Sequence, residues 1–318
     1  MMTPLVLVLG PTGSGKSALA IRLAQEFNGE IVNCDSQQVY RQLNIGTAKV
    51  PLAERGGVPH HLMDIADPDE IFSAGEYLRR ARAVLDDIRA RGRLAFICGG
   101  TGFYVRGLLE GLFEGPPRDE ALRDDLAKRE QRHPGFTHRL LCRLDVTSAA
   151  RIHRNDVQKA VRAVEVSLAA RVPMSSLLGQ SERPLEGFHW LKLGLDPPRD
   201  ALYARIDTRC ARMFDNGLLD ETRGLGTSGY TRHTKALESI GYRQSMNVLE
   251  GKTSLGGALA DTQMESRRYA KRQLTWFRSD TQMCWLNGFG NDAAIEQEAI
   301  RLVNEHVRST TGHIVSNW

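Results

Sequence analysis

Five alternating Leu and Val residues at 5–9 make an unbroken apolar run, the pattern of a strand buried on both faces. Gly-Pro-Thr-Gly-Ser-Gly-Lys-Ser follows at 10–17, and then Ala18, Leu19, Ile21, Leu23 and Ala24 recur at helical spacing. The order predicts strand, glycine-rich turn and helix, with Gly29 as the helix stop. A second strand is predicted at 30–34, ending on Asp35. Residues 46–64 read as loop. Ser73, with Glu76 three positions on, predicts the capped start of a helix that runs to about 91. A third apolar strand at 94–98 runs into Gly99-Gly100-Thr101-Gly102.

The pattern changes after Gly111, and Gly115-Pro116-Pro117 breaks the chain. Residues 119–171 read almost wholly as helix. Within 155–171, Val157, Val161, Val164 and Leu168 repeat at a helical period, while Lys159 and Arg162 share a face. An apolar, β-branched or aromatic run at 188–195 restores the strand pattern. In the helix predicted at 199–216, Leu202, Ile206, Cys210 and Met213 form the apolar stripe. Of its flanking arginines, Arg205, Arg209 and Arg212, the second falls closest to that stripe and is expected to reach inward; pairing with a core carboxylate would serve equally. Residues 263–278 carry Arg267, Arg268, Lys271, Arg272 and Arg278, interleaved with Tyr269, Trp276 and Phe277, a mixture suited to a nucleic-acid backbone. A strand and a helix close the chain, with fraying expected after Ser309. The fold class predicted is α/β: a P-loop NTPase-like parallel sheet core formed by 1–112 and 188–318, interrupted by an all-helical insertion domain at 113–187.

Totals change this picture little. Hydrophobic residues make up 41%, enough for a real core, and the net charge of +4 does not by itself demand a nucleic-acid partner. No apolar run approaches the roughly 20 residues of a membrane helix, so no membrane partner is expected. Cys34, Cys98, Cys142, Cys210 and Cys284 are scattered, with no C-x-x-C pair, which predicts neither a zinc site nor a disulfide framework and suits a reducing cytoplasm. His60 and His61 lack metal-ligand company at suitable spacing. Nothing demands a second subunit, and a monomer is expected.

The chemistry centres on Gly10, Gly15, Lys16 and Ser17, which fit G-x-x-x-x-G-K-[ST] in its required strand–loop–helix context. Backbone N–H groups of such a loop wrap a phosphate, the lysine adds a mobile charge, and the serine hydroxyl can ligand Mg²⁺. Asp35, at the carboxyl end of a neighbouring parallel strand, belongs on the same rim. Ser36, Gln37 and Gln38 follow it, and Thr101 offers a hydroxyl at another strand end. A P-loop identifies a pyrophosphate cradle and not a reaction. These residues alone leave open a small-molecule kinase and a nucleotide-dependent RNA-binding switch.

The ordered set Gly10-Pro11-Thr12-Gly13-Ser14-Gly15-Lys16-Ser17, Asp35-Ser36, Gly46-Thr47-Ala48-Lys49, Gly99-Gly100-Thr101, Arg151-Ile152-His153-x-Asn155-Asp156, Gly241-Tyr242-Arg243-Gln244 and Ala270-Lys271-Arg272-Gln273-Leu274-Thr275-Trp276 resembles the tRNA dimethylallyltransferase (tRNA isopentenyltransferase) family over nearly the whole chain. Position 13 is Gly where the family commonly has Ala, and Val157 stands where Pro is usual. The chain has no counterpart of the C-terminal zinc finger of eukaryotic members and resembles the short bacterial form. The resemblance implies transfer of a dimethylallyl group from dimethylallyl diphosphate to N6 of the adenosine 3′-adjacent to the anticodon of tRNA, with Mg²⁺ as cofactor. It implies that the loop from Gly10 to Ser17, with Arg209, holds the diphosphate, and that Asp35, Lys16 and Thr101 are catalytic. Contacts to the anticodon stem-loop are implied for Asp35, Ser36, Gln37, Gln38, Thr101, Arg123, Gln158, Lys159, Ala160, Val161, Arg162, Glu238, Ser239, Ile240, Gly241, Tyr242 and Arg243.

Overall fold

The apolar run at 5–9 lies in β1 (Thr3–Leu9), and every residue from Leu5 to Leu9 is fully buried. In the computed structural model, which describes residues 2–113, 115–178 and 184–312, the chain continues through α1 (Lys16–Glu26), β2 (Glu30–Cys34), β3 (His60–His61), α2 (Ala74–Ala90), β4 (Ala95–Gly99) and α3 (Gly102–Glu110). Then come α4 (Glu120–Arg132), α5 (Phe136–Leu144), α6 (Val146–Arg151), α7 (Val157–Ala170) and α8 (Met174–Leu177). The sheet resumes with β5 (Phe188–Leu195), followed by α9 (Arg199–Asp215), α10 (Leu218–Thr227), α11 (Tyr242–Leu249), α12 (Leu255–Arg278), β6 (Met283–Leu286) and α13 (Ala293–Thr311). Residues 313–318, where fraying is expected, lie outside the described part.

All six strands are parallel, in the order β3-β2-β4-β1-β5-β6. Alternation along β1 turns Val6 and Val8 toward the cluster built with Leu19 and Leu23 of α1 and Val303 of α13, and Leu5, Leu7 and Leu9 toward the opposite face. Register fixes the functional rim. Gly99 pairs with both Leu9 and Cys34, so the three residues that follow these strand ends, Gly10, Asp35 and Gly100, stand level. Glycine at 99 is required there, because a Cβ would lie 2.0 Å from the Cys34 carbonyl oxygen.

Two local expectations are corrected. The left-handed residue that ends α1 is Asn28 (φ 48°), and Gly29 serves instead to let Phe96 pack, since a Cβ would meet that ring at 2.5 Å. The stretch read as loop contains β3, which pairs with Ile31 and Val32; two residues are too few to leave an alternating signal. Ser73 does cap α2, accepting the Glu76 N–H at 3.1 Å, while the Glu76 carboxylate turns to Arg79 and Arg80.

The chain divides into two compact units, Met1–Arg106 with Glu186–Trp318, and Gly107–Leu185. The second is helical, with a core of Leu126, Leu141, Ala160, Val161, Ala163 and Val164. It starts before the expected boundary at 113. The Leu185 N–H donates to the Leu109 carbonyl at 3.3 Å, and Arg162 holds the Pro116 carbonyl at 3.0 Å, so the Gly-Pro-Pro break lies inside this unit.

Candidate active site

The loop after β1 turns with Gly10, Gly13 and Gly15 all at positive φ (146°, 83° and 88°). It delivers Lys16 to the first turn of α1, where Nζ donates to the Pro11 carbonyl at 2.8 Å. Burial pushes the Lys16 ammonium down to about 8, partly opposed by Cys98 and Asp35. Ser17 makes a hydrogen bond with Cys98, whose thiol burial raises to about 11. From the first turn of α1, amide N–H groups without helical partners are available to an anion.

Asp35 caps the turn after β2. Its Oδ1 accepts the N–H groups of Gln37 (2.8 Å) and Gln38 (3.3 Å), and Oδ2 has no donor among the described residues. Thr101 stands opposite: its Oγ1 accepts the Ser36 N–H at 3.2 Å. Tyr269 of α12 also reaches this spot. Burial and then Asp35 raise its phenol, while a hydrogen bond with Thr101 opposes them.

Helix α9 supplies the cations. Arg209 Nη2 donates to Thr12 Oγ1 at 2.6 Å, and its buried Nε has no partner among the described residues. Burial lowers Arg209 from its ordinary value. Arg209 is the innermost of the three arginines, as expected, and Arg212 is exposed, yet Arg205 and Arg212 both line the same cavity. Arg205 is held by Asn291 Oδ1 (2.7 Å) and lies over the Phe289 ring. Spacing of four and three along one helix was the available signal.

These groups meet in one cavity of 500 Å³, lined among others by Thr12, Lys16, Ser17, Asp35, Gln38 and Arg209. Gln273 of α12 stitches its rim together. Its Oε1 accepts the Thr12 N–H at 2.8 Å, and its Nε2 donates to the Gly100 carbonyl at 2.9 Å. Sequence reading gave Gln273 no role, since nothing in a basic helix marks one amide as turned inward.

The expected tRNA contacts fall into two kinds. Gln158, Lys159, Glu238 and Arg243 are exposed. Lys159 pairs with Asp156 at 2.7 Å and Glu238 with Lys235. Ala160 and Val161 are buried in the helical core, and Tyr242 is fully buried, with its hydroxyl on Glu221 and on the Gly46 N–H. Their side chains therefore face the protein, and only neighbouring backbone could meet a ligand. Ser239 bonds the Ala236 carbonyl at 2.6 Å, Ile240 is half-buried, and Gly241 takes φ 95° at the start of α11. Arg123 and Arg162 both close on Glu165, at 2.7 and 2.6 Å. Burial would push that carboxyl up, but Arg123, the Asp119 N–H and Arg162 bring it down to about 2.

Among the described residues, no group of three or more His, Cys, Asp or Glu side chains could hold a metal unaided. One serine hydroxyl beside a phosphate cradle is the donor set of a Mg²⁺ whose remaining ligands are phosphate oxygens and water, so the site fits that ion in company with a diphosphate. No helix among the described residues is long and apolar enough to cross a membrane.

Comparison with known proteins matches this arrangement to one family. The family model described as IPP transferase matches residues 38–280. The tRNA dimethylallyltransferase of Solibacter usitatus is 54% identical over 297 residues, 93% of this chain and 97% of that protein. Among solved structures, the full-length tRNA isopentenylpyrophosphate transferase of Bacillus halodurans superposes with a TM-score of 0.73 at 34% identity, covering 98% of this chain and 99% of that one. A eukaryotic dimethylallyltransferase captured acting on tRNA superposes with a TM-score of 0.83 at 27% identity, covering 99% of this chain and 81% of that one. With a parallel sheet whose rim carries a P-loop, a carboxylate and inward arginines, and with such relatives along its length, the chain belongs to the IPP transferase family.

Proposed function

We propose that this chain transfers the dimethylallyl group of dimethylallyl diphosphate to N6 of the adenosine 3′-adjacent to the anticodon in tRNA, releasing diphosphate. The observation that carries the reading is the shared cavity: a phosphate cradle, three arginines and a carboxylate with one oxygen uncommitted face the same space.

The diphosphate lies in the loop from Gly10 to Ser17, with Thr12, Lys16 and Arg209 around it. As the allylic C–O bond breaks, negative charge grows on the departing oxygens. Fixed donors lining the cavity stabilise that charge without reorganising. Ser17 would hold Mg²⁺, which when bound would supply further neutralisation of the leaving group. N6 of adenine attacks the allylic carbon, and Asp35 Oδ2 takes the proton that N6 sheds. Thr101 keeps the Asp35 turn in place through Ser36 and lies close enough to help orient the incoming base. The target adenosine leaves its stack to reach the cavity, as bases do for other enzymes that modify them. Ser36, Gln37 and Gln38 meet the extruded nucleotide. Gln158, Lys159, Arg162 and Arg123 of the helical unit contact the tRNA, as does the segment from Glu238 to Arg243 of the other unit, while the side chains of Ala160, Val161 and Tyr242 pack within their own units.

The test is direct. Purified protein, Mg²⁺, unmodified tRNA and dimethylallyl diphosphate should yield prenylated adenosine next to the anticodon by mass spectrometry of the digested tRNA. A parallel reaction with ATP in place of the allylic diphosphate should yield none. Absence of prenylated adenosine in the first reaction, with ATP consumed against a small acceptor in the second, would overturn the reading in favour of a kinase.

A further inference from the structure

One segment of the cavity wall is held in a left-handed backbone conformation that is uncommon outside glycine and least suited to its leucine. Leu62 and Asp64, on either side of Met63, both take left-handed φ values of 61° and 55°. Residues with a Cβ seldom adopt that region, and when they do the surroundings must hold them there. Here three interactions do so. The buried Asn33 Nδ2 donates to the Leu62 carbonyl at 3.0 Å, and the Asp64 N–H donates to the Gln38 carbonyl at 3.3 Å. Lys49, whose side chain is 4% exposed, pairs with Asp64 Oδ1 at 2.5 Å and also reaches the Tyr40 carbonyl. Asn33 lies in β2, two residues before Asp35, and Gln38 lies in the turn that Asp35 caps, so the segment is anchored to the residues around the proposed base.

What this anchoring delivers is the Met63 side chain. Met63 is 9% exposed and lines the 500 Å³ cavity with Ala18, Ile31, Ala48 and Val50. The rest of the lining is largely polar or charged, from Thr12, Lys16, Ser17 and Asp35 to the three arginines of α9. With a diphosphate fixed at the P-loop, a hydrocarbon tail has this apolar stretch as its place to avoid stranded polar groups. Met63 is the longest and most adaptable side chain in that stretch, and a thioether moulds itself to a small branched alkyl group.

We infer that Met63 is a specificity-determining residue: it packs against the prenyl group and sets the upper limit on its length at five carbons. The inference rests on the proposed transfer reaction and adds to it which allylic diphosphates are refused. Truncation at 63 opens the apolar wall without touching the cradle, the carboxylate or the arginines.

The test compares dimethylallyl and geranyl diphosphate as donors with unmodified tRNA, reading kcat/KM for each. In Met63→Ala the ratio of geranyl to dimethylallyl use should rise by about tenfold or more, the scale on which apolar pockets discriminate alkyl groups. Met63→Leu, which keeps the volume, should keep the wild-type ratio. Met63→Phe should raise the KM for dimethylallyl diphosphate by about tenfold and leave the KM for tRNA unmoved. An unchanged ratio in a folded Met63→Ala protein overturns the inference. Should that variant fail to fold, an unchanged dimethylallyl KM in Met63→Phe overturns it equally. Wild-type protein that prenylates nothing with dimethylallyl diphosphate removes the reaction itself, an outcome separate from transfer that proceeds with an unaltered preference.

Discussion

Helices α9 and α7 both carry arginine, and the two put it to opposite uses. On α9, Arg205, Arg209 and Arg212 line a cavity and find no carboxylate partner among the described residues; Asn291 holds the first and Thr12 the second. On α7, Arg162 closes on Glu165 of its own helix, joined by Arg123 from α4. An arginine without a carboxylate in a cavity is costly to the apo protein and ready for an anion. An arginine locked to a buried glutamate contributes to the fold and has less to offer a ligand. Counting basic residues along the chain does not separate these cases; the position of the nearest acid does.

The comparison can be broken at either end. Asp35 belongs with the α9 side, as a group with one oxygen spare. Asp35→Asn keeps its shape and removes the base, and should lower kcat by about 10²–10⁴-fold; tRNA affinity, read by filter binding, should stay close to wild type. A near-normal kcat would end its role as base. Arg209→Ala should cut kcat/KM for dimethylallyl diphosphate by about 10²-fold, with Arg209→Lys recovering only part, because a point charge cannot copy a planar fork. An unaffected kcat/KM would return Arg209 to a structural role.

The pH profile gives a smaller effect. Burial puts Lys16 at about 8 in the free enzyme, so the protonated form that attracts a diphosphate dominates below that value and is lost above it. The KM for dimethylallyl diphosphate should therefore rise, by up to about tenfold per unit, as pH climbs from 8 toward 10. Lys16→Met should flatten that limb. On the α7 side, Glu165→Gln should act on stability, by about 3 kcal/mol in chemical denaturation, because it strands two arginines; the KM for dimethylallyl diphosphate should not move. The sign with pH follows from the depressed carboxyl: its stabilisation is complete above the ordinary value of 4.5 and disappears as pH falls toward about 2. Loss of diphosphate binding in Glu165→Gln would erase the distinction between the two helices.

The parts of this fold that were legible in sequence are those whose signal is local. Alternation of Leu and Val marks β1, the glycine spacing marks the loop, and the Ser73 cap marks α2. Asp35 could be placed beside the P-loop because parallel topology sends both strand ends to one rim. What sequence could not give depends on contacts made from afar. Gln273 and Thr12 are 261 positions apart, and only the packed structure shows that the amide faces inward. Tyr242 illustrates the converse: a motif residue expected to contact tRNA has a fully buried side chain, its hydroxyl spent on Glu221. Motif membership identifies a residue that matters, but burial decides whether it matters to the ligand or to the fold.

The Gln273 bridge has a consequence for motion. The Thr12 amide is already occupied by Gln273 before any anion arrives, so its exchange with solvent deuterium depends on α12 separating from the rim. Amides in the first turn of α1 have no such attachment, and their protection should grow when diphosphate enters. The loop thus contains two populations of amide, one whose opening is timed by the protein and one timed by the ligand, within a few residues of each other.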